Sequence, residues 1–137
     1  MRLDLSQVMV MVVDDNRFIR RIVHEILKSF NVGYILEAEN GVDALEKLKL
    51  AKPDVIFCDW RMEPMSGMDL LREIRAGKTP VDAKTPVIML TGQLDASHVI
   101  EARNVGVSGY LAKPVSPEGV MSRLVDVIRA TAPAGHA

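Results

Sequence analysis

Three aspartates, a threonine and a lysine stand where one fold could gather them. Asp14 and Asp15 follow the apolar run that begins at Val8, Asp59 follows Val55–Cys58, Thr91 follows Val87–Leu90, and Lys113 lies just past Gly109–Leu111. In an open α/β sheet, ligands sit beyond the carboxyl ends of the strands, where the strand order reverses. If each apolar run is a strand, four strands deliver a polar group to that one edge. Three carboxylates crowded there repel one another, so the arrangement is stable only if a cation neutralises them or some of them protonate. Oxygen-only ligands with room for water favour Mg²⁺, which keeps several waters and commonly bridges carboxylates to a phosphate. An aspartate can itself attack phosphorus to form an acyl phosphate, a transfer that depends on positioning and on neutralising the phosphoryl oxygens. Mg²⁺, the Lys113 ammonium and the Thr91 hydroxyl would supply that neutralisation.

The elements that must position these groups are legible as an alternation of short apolar runs with longer segments of helical period, the pattern of βα units and a parallel sheet. The strand candidates are Val8–Val13, Tyr34–Ala38, Val55–Cys58, Val87–Leu90 and Gly109–Leu111. The first, third and fourth are so uniformly apolar that they read as buried on both faces. The first helix spaces Phe18, Ile19, Ile22, Val23, Ile26, Leu27 and Phe30 by threes and fours, which predicts one packed stripe with Arg20, Arg21 and His24 off it. A second helix is expected from about Val42 to Leu50, with Ala44, Leu45 and Leu48 inward, and a third from about Met68 to Ala76, with Leu70, Leu71 and Ile74 inward. Asp95 reads as the cap of the fourth helix and Gly106 as its stop, while Ser116-Pro117 opens the fifth. The segment from Gly77 to Thr85 has no periodicity and reads as a loop.

Length and composition bound the rest. The 137 residues suit one domain, with a core from about 8 to 130, a loose tail at 131–137 and no room for a separate output domain. A 48% hydrophobic and 26% charged composition fits a globular fold, and a net charge of −1 without a basic stripe argues against nucleic acid as a direct partner. The lone Cys58 can form no internal disulfide, and no signal-peptide order opens the chain, so a reducing cytoplasm is the expected compartment. The apolar runs fall far short of the roughly 20 residues that a membrane-spanning helix needs, so no membrane insertion is expected.

On these residues the sequence resembles the response-regulator receiver domain of two-component signalling, especially stand-alone receivers of the chemotaxis type, over about Val8 to Ala130. The resemblance rests on the acidic pair in Val12-Val13-Asp14-Asp15, the phosphoacceptor in Cys58-Asp59-Trp60, Thr91-Gly92, the dipeptide Lys113-Pro114, and Tyr110 three residues before that lysine. It implies a flavodoxin-like, doubly wound (βα)5 fold with a five-stranded parallel sheet of order 2-1-3-4-5 and helices on both faces. It further implies that Asp14, Asp15, Asp59 and the backbone carbonyl of Arg61 bind Mg²⁺. Asp59 is then the phosphoacceptor, Lys113 and Thr91 contact the phosphoryl group, Tyr110 is the switch aromatic and the Lys113-Pro114 bond is cis. The implied partners are a histidine kinase or histidine phosphotransfer protein as donor, and a downstream protein on the face of the fourth helix, fifth strand and fifth helix. Such a domain is a switch rather than an enzyme, although it takes part in its own phosphorylation and dephosphorylation. Relay intermediate and phosphate sink remain alternatives. The sequence departs from the family in placing proline one residue late, in Met62-Glu63-Pro64-Met65, and in carrying Gly92 where alanine is commoner. Arg61 and Gln93, each two residues past a site residue, could flank the hydrolytic water and set the acyl-phosphate lifetime.

Competing chemistries fit less well. A haloacid-dehalogenase-type phosphatase needs a second aspartate two residues after its nucleophile, where Asp59 is followed by Trp60 and Arg61 and Asp14 by Asp15 and Asn16. A flavodoxin-like cofactor site would suffer repulsion between phosphate and the acidic pair. His24-Glu25 superficially resembles the phosphoaccepting end of a helical phosphotransfer protein, but the strands argue against it, and His98 and His136 lack metal-ligand spacing. Simple capping accounts for one of Asp14, Asp15 and Asn16. Met62, Met65 and Met68 could form an adaptable partner surface or merely pack a loop. Arg17, Arg20 and Arg21 could meet an acidic partner or form a solvated face.

Overall fold

The computed structural model describes residues 4–92 and 96–131. Gln93, the proposed cap Asp95 and residues 132–137 of the expected tail lie outside the described residues, while Thr131, expected in that tail, closes the last helix. In chain order the elements are β1 (Met9–Val13), α1 (Arg17–Ser29), β2 (Tyr34–Ala38), α2 (Gly41–Leu48), β3 (Val55–Asp59), α3 (Gly67–Arg75), β4 (Val87–Thr91), α4 (Ala96–Val105), β5 (Gly109–Ala112) and α5 (Pro117–Thr131). All strand pairs are parallel and run in the order β2-β1-β3-β4-β5, as the resemblance implies. The bounds move slightly: β1 opens one residue late, while β3, β4 and β5 extend to take in Asp59, Thr91 and Ala112. Polarity hides the Asp59 and Thr91 rungs from a sequence reading, but main-chain bonds hold them whatever the side chain.

Alternation along the strands divides the core into two layers. Met11, Val13, Ile56, Cys58, Val87 and Met89 pack with Ala44 and Leu48 of α2, with Met68, Leu70, Leu71 and Ile74 of α3, and with Ala102 of α4. Val10, Val12, Val55, Phe57, Ile88 and Leu90 pack on the other side with Val23, Ile26 and Leu27 of α1 and with Val120, Leu124 and Val127 of α5. The strands β1, β3 and β4 are covered on both faces, as their composition predicts, and the edge strands β2 and β5 are only partly covered. Met62 and Met68 are buried, and Met65 packs against the first layer, so these methionines fill the β3–α3 region and do not form an open surface.

The expectation for α1 needs correction. Its packed stripe is narrower than the sequence pattern suggests: Phe18 is 77% exposed and Ile22 46%. At about 100° per residue, Ile19, Val23, Ile26, Leu27 and Phe30 cluster around one direction, and Phe18 and Ile22 fall to one flank of it. Arg20 and His24 fall to the opposite flank. They are half-buried against Glu37 of β2 and do not form part of a solvated face.

The helices start and stop as their sequences predict where both can be compared. Asn16 caps α1, its side chain accepting from the amides of Phe18 and Ile19 at 2.9 and 3.2 Å. Ser116 receives the Gly119 amide at 3.1 Å at the start of α5. Gly106, with φ of 108°, ends α4, and the amides of both Gly106 and Val107 return to the Ala102 carbonyl at 2.9 Å. The aperiodic segment 77–85 is a loop, yet it is pinned by Arg75. That guanidinium donates to the carbonyls of Gly106 (2.8 Å), Ala83 (2.8 Å) and Thr85 (2.7 Å), tying three chain segments together at the amino-terminal end of β4 and β5. Arg75→Met keeps the aliphatic stem and removes every donor. It is expected to cost about 2–4 kcal/mol, less than the sum of three charge-assisted bonds because the freed carbonyls can rehydrate. Urea unfolding would read this as a lower midpoint at unchanged slope.

Candidate metal centre

Strand register brings the sequence-predicted residues together. Val13 stands opposite Cys58 and Asp59 opposite Leu90, so the next rungs put Asp14 beside Asp59 and Thr91 one step beyond. Thr91 pairs with Ala112, and the Lys113 amide donates to the Thr91 carbonyl at 2.9 Å. The buried Asp14 is anchored from both directions, its amide bonded to the Ala38 carbonyl at 3.1 Å and its Oδ1 accepting from the Asn16 amide at 2.8 Å. Because Asn16 caps α1, neither Asp14 nor Asp15 is spent on capping.

The ligand oxygens of Asp14, Asp15 and Asp59 all lie within 4.8 Å of one another. The Lys113 ammonium donates to Asp59 Oδ1 at 3.1 Å and lies 3.0 Å from Asp14 Oδ2. The second contact is an ion pair without hydrogen-bond alignment, so Oδ2 of a fully buried carboxylate has no hydrogen bond among the described residues. Burial lifts the Asp59 pKa, and the neighbouring Asp14 charge lifts it further; Lys113 offsets only part of this. Lys113 is itself raised: burial would lower it, but the Asp14 and Asp59 carboxylates outweigh burial. Three carboxylates against one ammonium leave negative charge uncompensated. An all-oxygen set of this kind fits a hard divalent cation such as Mg²⁺.

Asp59, Trp60, Arg61, Thr91, Gly92 and Lys113 line a cleft of about 300 Å³ at this edge. Arg61 therefore lies on its wall, while Gln93 is outside the described residues. Tyr110 is half-buried on the other side of β4, its hydroxyl donating to the Val99 carbonyl of α4 at 2.8 Å. Cys58 is fully buried, and that burial pushes its thiol pKa far up, so it is unreactive packing as its sequence context suggests. Lys113-Pro114 is cis as expected; Glu63-Pro64, at the displaced proline, is cis as well, and nothing in the sequence reading pointed to it.

Two contributors escaped the sequence reading in their present roles. Arg20 reaches the loop between the acidic residues, and Gly67 opens α3 against the end of β3. The Gly67 amide bonds to the Trp60 carbonyl at 3.0 Å, and a Cβ there would stand 2.2 Å from the Asp59 carbonyl oxygen.

A doubly wound sheet with an acidic, lysine-bearing cleft at its carboxyl edge defines a flavodoxin-like architecture with its candidate site at the usual ligand-binding edge. The comparisons with known proteins narrow it. Residues 10–125 match the response regulator receiver domain. The chain is 37% identical over 120 residues to the chemotaxis protein CheY1 of Helicobacter pylori, covering 87% of this chain and 95% of that protein. Over the same length and share of this chain it is 37% identical to a CheY homolog of Campylobacter jejuni, covering 91% of it. Among solved structures, Vibrio cholerae chemotaxis protein CheY4 superposes with a TM-score of 0.80 at 32% identity, covering 88% of this chain and 98% of that one. The Francisella response regulator 1452 receiver domain superposes with a TM-score of 0.81 at 27% identity, over 92% and 100%. The chain belongs to the response-regulator receiver family, whose members are signalling switches with an acidic Mg²⁺ pocket. Among the described residues no helix is long and apolar enough to cross a membrane.

Gly67→Ala is expected to force α3 and the Asp59 carbonyl apart at a cost of about 1–3 kcal/mol, the usual range for overpacking a filled site. Urea unfolding measures the loss directly. A variant as stable as wild type would show that the α3 start is not fixed against β3.

Proposed function

We propose that this chain is a response regulator that accepts a phosphoryl group on Asp59 from the phosphohistidine of a histidine kinase or phosphotransfer protein, and that the acyl phosphate changes its binding to another protein. The observation that supports this most strongly is the meeting of Asp14, Asp15 and Asp59 within 4.8 Å, with the Lys113 ammonium 3.1 Å from Asp59. A carboxylate oxygen of Asp59 attacks phosphorus. The new P–O bond forms as the P–N bond to the donor imidazole breaks, and the departing imidazole takes a proton. Asp14 and Asp15, with the Arg61 carbonyl, would hold Mg²⁺, which when bound neutralises charge on the phosphoryl oxygens. Lys113 is displaced from its carboxylate pair toward the phosphoryl oxygens, and the Thr91 hydroxyl is drawn in as a donor. Hydrolysis reverses the modification: water attacks phosphorus, the P–O bond to Asp59 breaks, and inorganic phosphate leaves.

The readout runs from Thr91 to the face formed by α4, β5 and α5. Thr91 and Tyr110 project to the same side of the sheet, and the Tyr110 hydroxyl already touches α4. Binding of phosphate can thus bias two arrangements of this face, as a ligand shifts a pre-existing equilibrium. The chemotaxis naming of the relatives favours output by protein binding. Service as a relay intermediate or phosphate sink uses the same site and differs in whether phosphate moves on to a second histidine.

Intact-mass measurement after incubation with acetyl phosphate tests residue, metal and reaction together. A single phosphoryl adduct is expected for wild type with Mg²⁺, and none for Asp59→Asn or after chelation. No wild-type adduct, where a control receiver is modified, would leave a constitutive binding module and sink the mechanism. Arg61→Ala and Gln93→Ala are expected to change the rate of adduct loss severalfold, the range for a group near a hydrolytic water being up to about 10². Unaltered loss in both would remove these side chains from the account of lifetime.

A further inference from the structure

Arg20 of α1 spans two partners. Its Nη1 donates to the backbone carbonyl of Asp14 at 2.7 Å, and its Nε lies 3.3 Å from Glu37 Oε1 on β2. The side chain is only 16% exposed. His24 Nδ1 stands 2.9 Å from the other Glu37 carboxylate oxygen, and the Lys47 ammonium contacts the Glu37 backbone carbonyl. The carbonyl that Arg20 grips belongs to the peptide joining Asp14 to Asp15, so the direction of that carbonyl fixes the plane between two of the three acidic ligands. Asp14 has further anchors on its amide and Oδ1. The side chain of Asp15 is exposed, and no hydrogen bond from a described residue reaches it, so its placement depends on the backbone beneath it.

We infer that Arg20 is a positioning residue which sets divalent-cation affinity by holding the Asp14–Asp15 peptide, an inference that rests on reading Asp14, Asp15 and Asp59 as the metal centre. Two effects of the guanidinium oppose each other. Its charge repels an incoming dication, so deleting it would tighten binding. Its grip preorders the ligands, so deleting it would loosen binding. Glu37 offsets the charge locally and solvent screens what remains, whereas the grip has no substitute, so preorganisation wins. The sign of the change therefore separates the two accounts.

Calorimetric titration of the full chain with Mg²⁺ alone reads that sign without phosphotransfer. Arg20→Met, nearly isosteric, is expected to raise the dissociation constant about tenfold, the lower end for outer-shell partners of a metal. Glu37→Gln leaves the carbonyl contact available and is expected to stay within about twofold of wild type, a small share of that effect. Urea unfolding verifies that each variant is folded; if Arg20→Met is not, Arg20→Gln, too short to reach the carbonyl, takes its place with the same expectation. Unchanged or tighter binding on losing Arg20 overturns the inference, as does equal weakening by Glu37→Gln, which would indicate general loosening from a lost ion pair. Wild-type protein that takes up no Mg²⁺ would fail the metal-centre reading itself, and this inference with it.

Discussion

The charge balance at the carboxyl edge of the sheet is the constraint from which the rest follows. Three carboxylates share a space less than 5 Å across with a single ammonium, and one of them is completely buried. Such a cluster spreads apart unless its backbone is held, and here the sheet holds it. Asp59 is the last rung of β3, and Asp14 hangs from the Ala38 carbonyl across the β1–β2 ladder. Covering β1, β3 and β4 on both faces makes that frame stiff, since each fully buried Val, Leu, Ile or Phe contributes about 1.5–3 kcal/mol that any distortion would forfeit. The stability of the apolar layers thus maintains an electrostatic arrangement that is unfavourable by itself. Burial and then the Asp14 charge raise the Asp59 pKa, while the Asp14 and Asp59 carboxylates raise that of Lys113 against its burial.

The β1–α1 turn shows how a few residues divide the work. Asn16 satisfies the open amides of α1, which leaves the two aspartates before it with free oxygens. Arg20, one helical turn further on, reaches back over the same loop to the Asp14 carbonyl. On the opposite wall, the absence of a side chain at Gly67 lets α3 begin against the Asp59 carbonyl. The ligand positions are therefore determined as much by a cap, a guanidinium and a glycine as by the carboxylates themselves.

The fold and the acidic site were legible in the sequence because both rest on patterns local in the chain: apolar runs of strand length, helical spacing, and polar residues directly behind the runs. What was not legible depends on contacts between distant segments. Arg20 looked like one of three arginines on a wet helix face, and only the position of Glu37 on the neighbouring strand shows that it turns inward. Phe18 and Ile22 fit the apolar period of α1 but sit at the margin of its stripe, where the neighbouring layer no longer covers them. Nothing local in the sequence marks Arg75, because its three carbonyl acceptors come from the 77–85 loop and from Gly106 at the end of α4, 31 residues on. The polar terminal rungs of β3 and β4 were missed for a related reason: a hydropathy pattern registers side chains, whereas the ladder is made of main chain.

Unequal packing also decides which element can move when Asp59 changes. Helix α3 buries Met68, Leu70, Leu71 and Ile74, and α5 buries Val120, Leu124 and Val127. Shifting either would uncover several large side chains at about 1.5–3 kcal/mol apiece, a sizeable part of the few kcal/mol by which a small domain is stable. Among its described side chains, α4 buries only Ala102 completely, and Ile100 is 56% exposed. Its other contacts are dispersed: the Tyr110 hydroxyl on the Val99 carbonyl, Glu101 paired with Arg72 of α3, the His98 ring 5.2 Å from that of Trp60, and Val105 packed partly against the core. Elements with few buried apolar contacts lie at the low end of local stability. The rearrangement proposed to start at Thr91 therefore meets the least resistance toward α4, to which the Tyr110 hydroxyl is hydrogen-bonded.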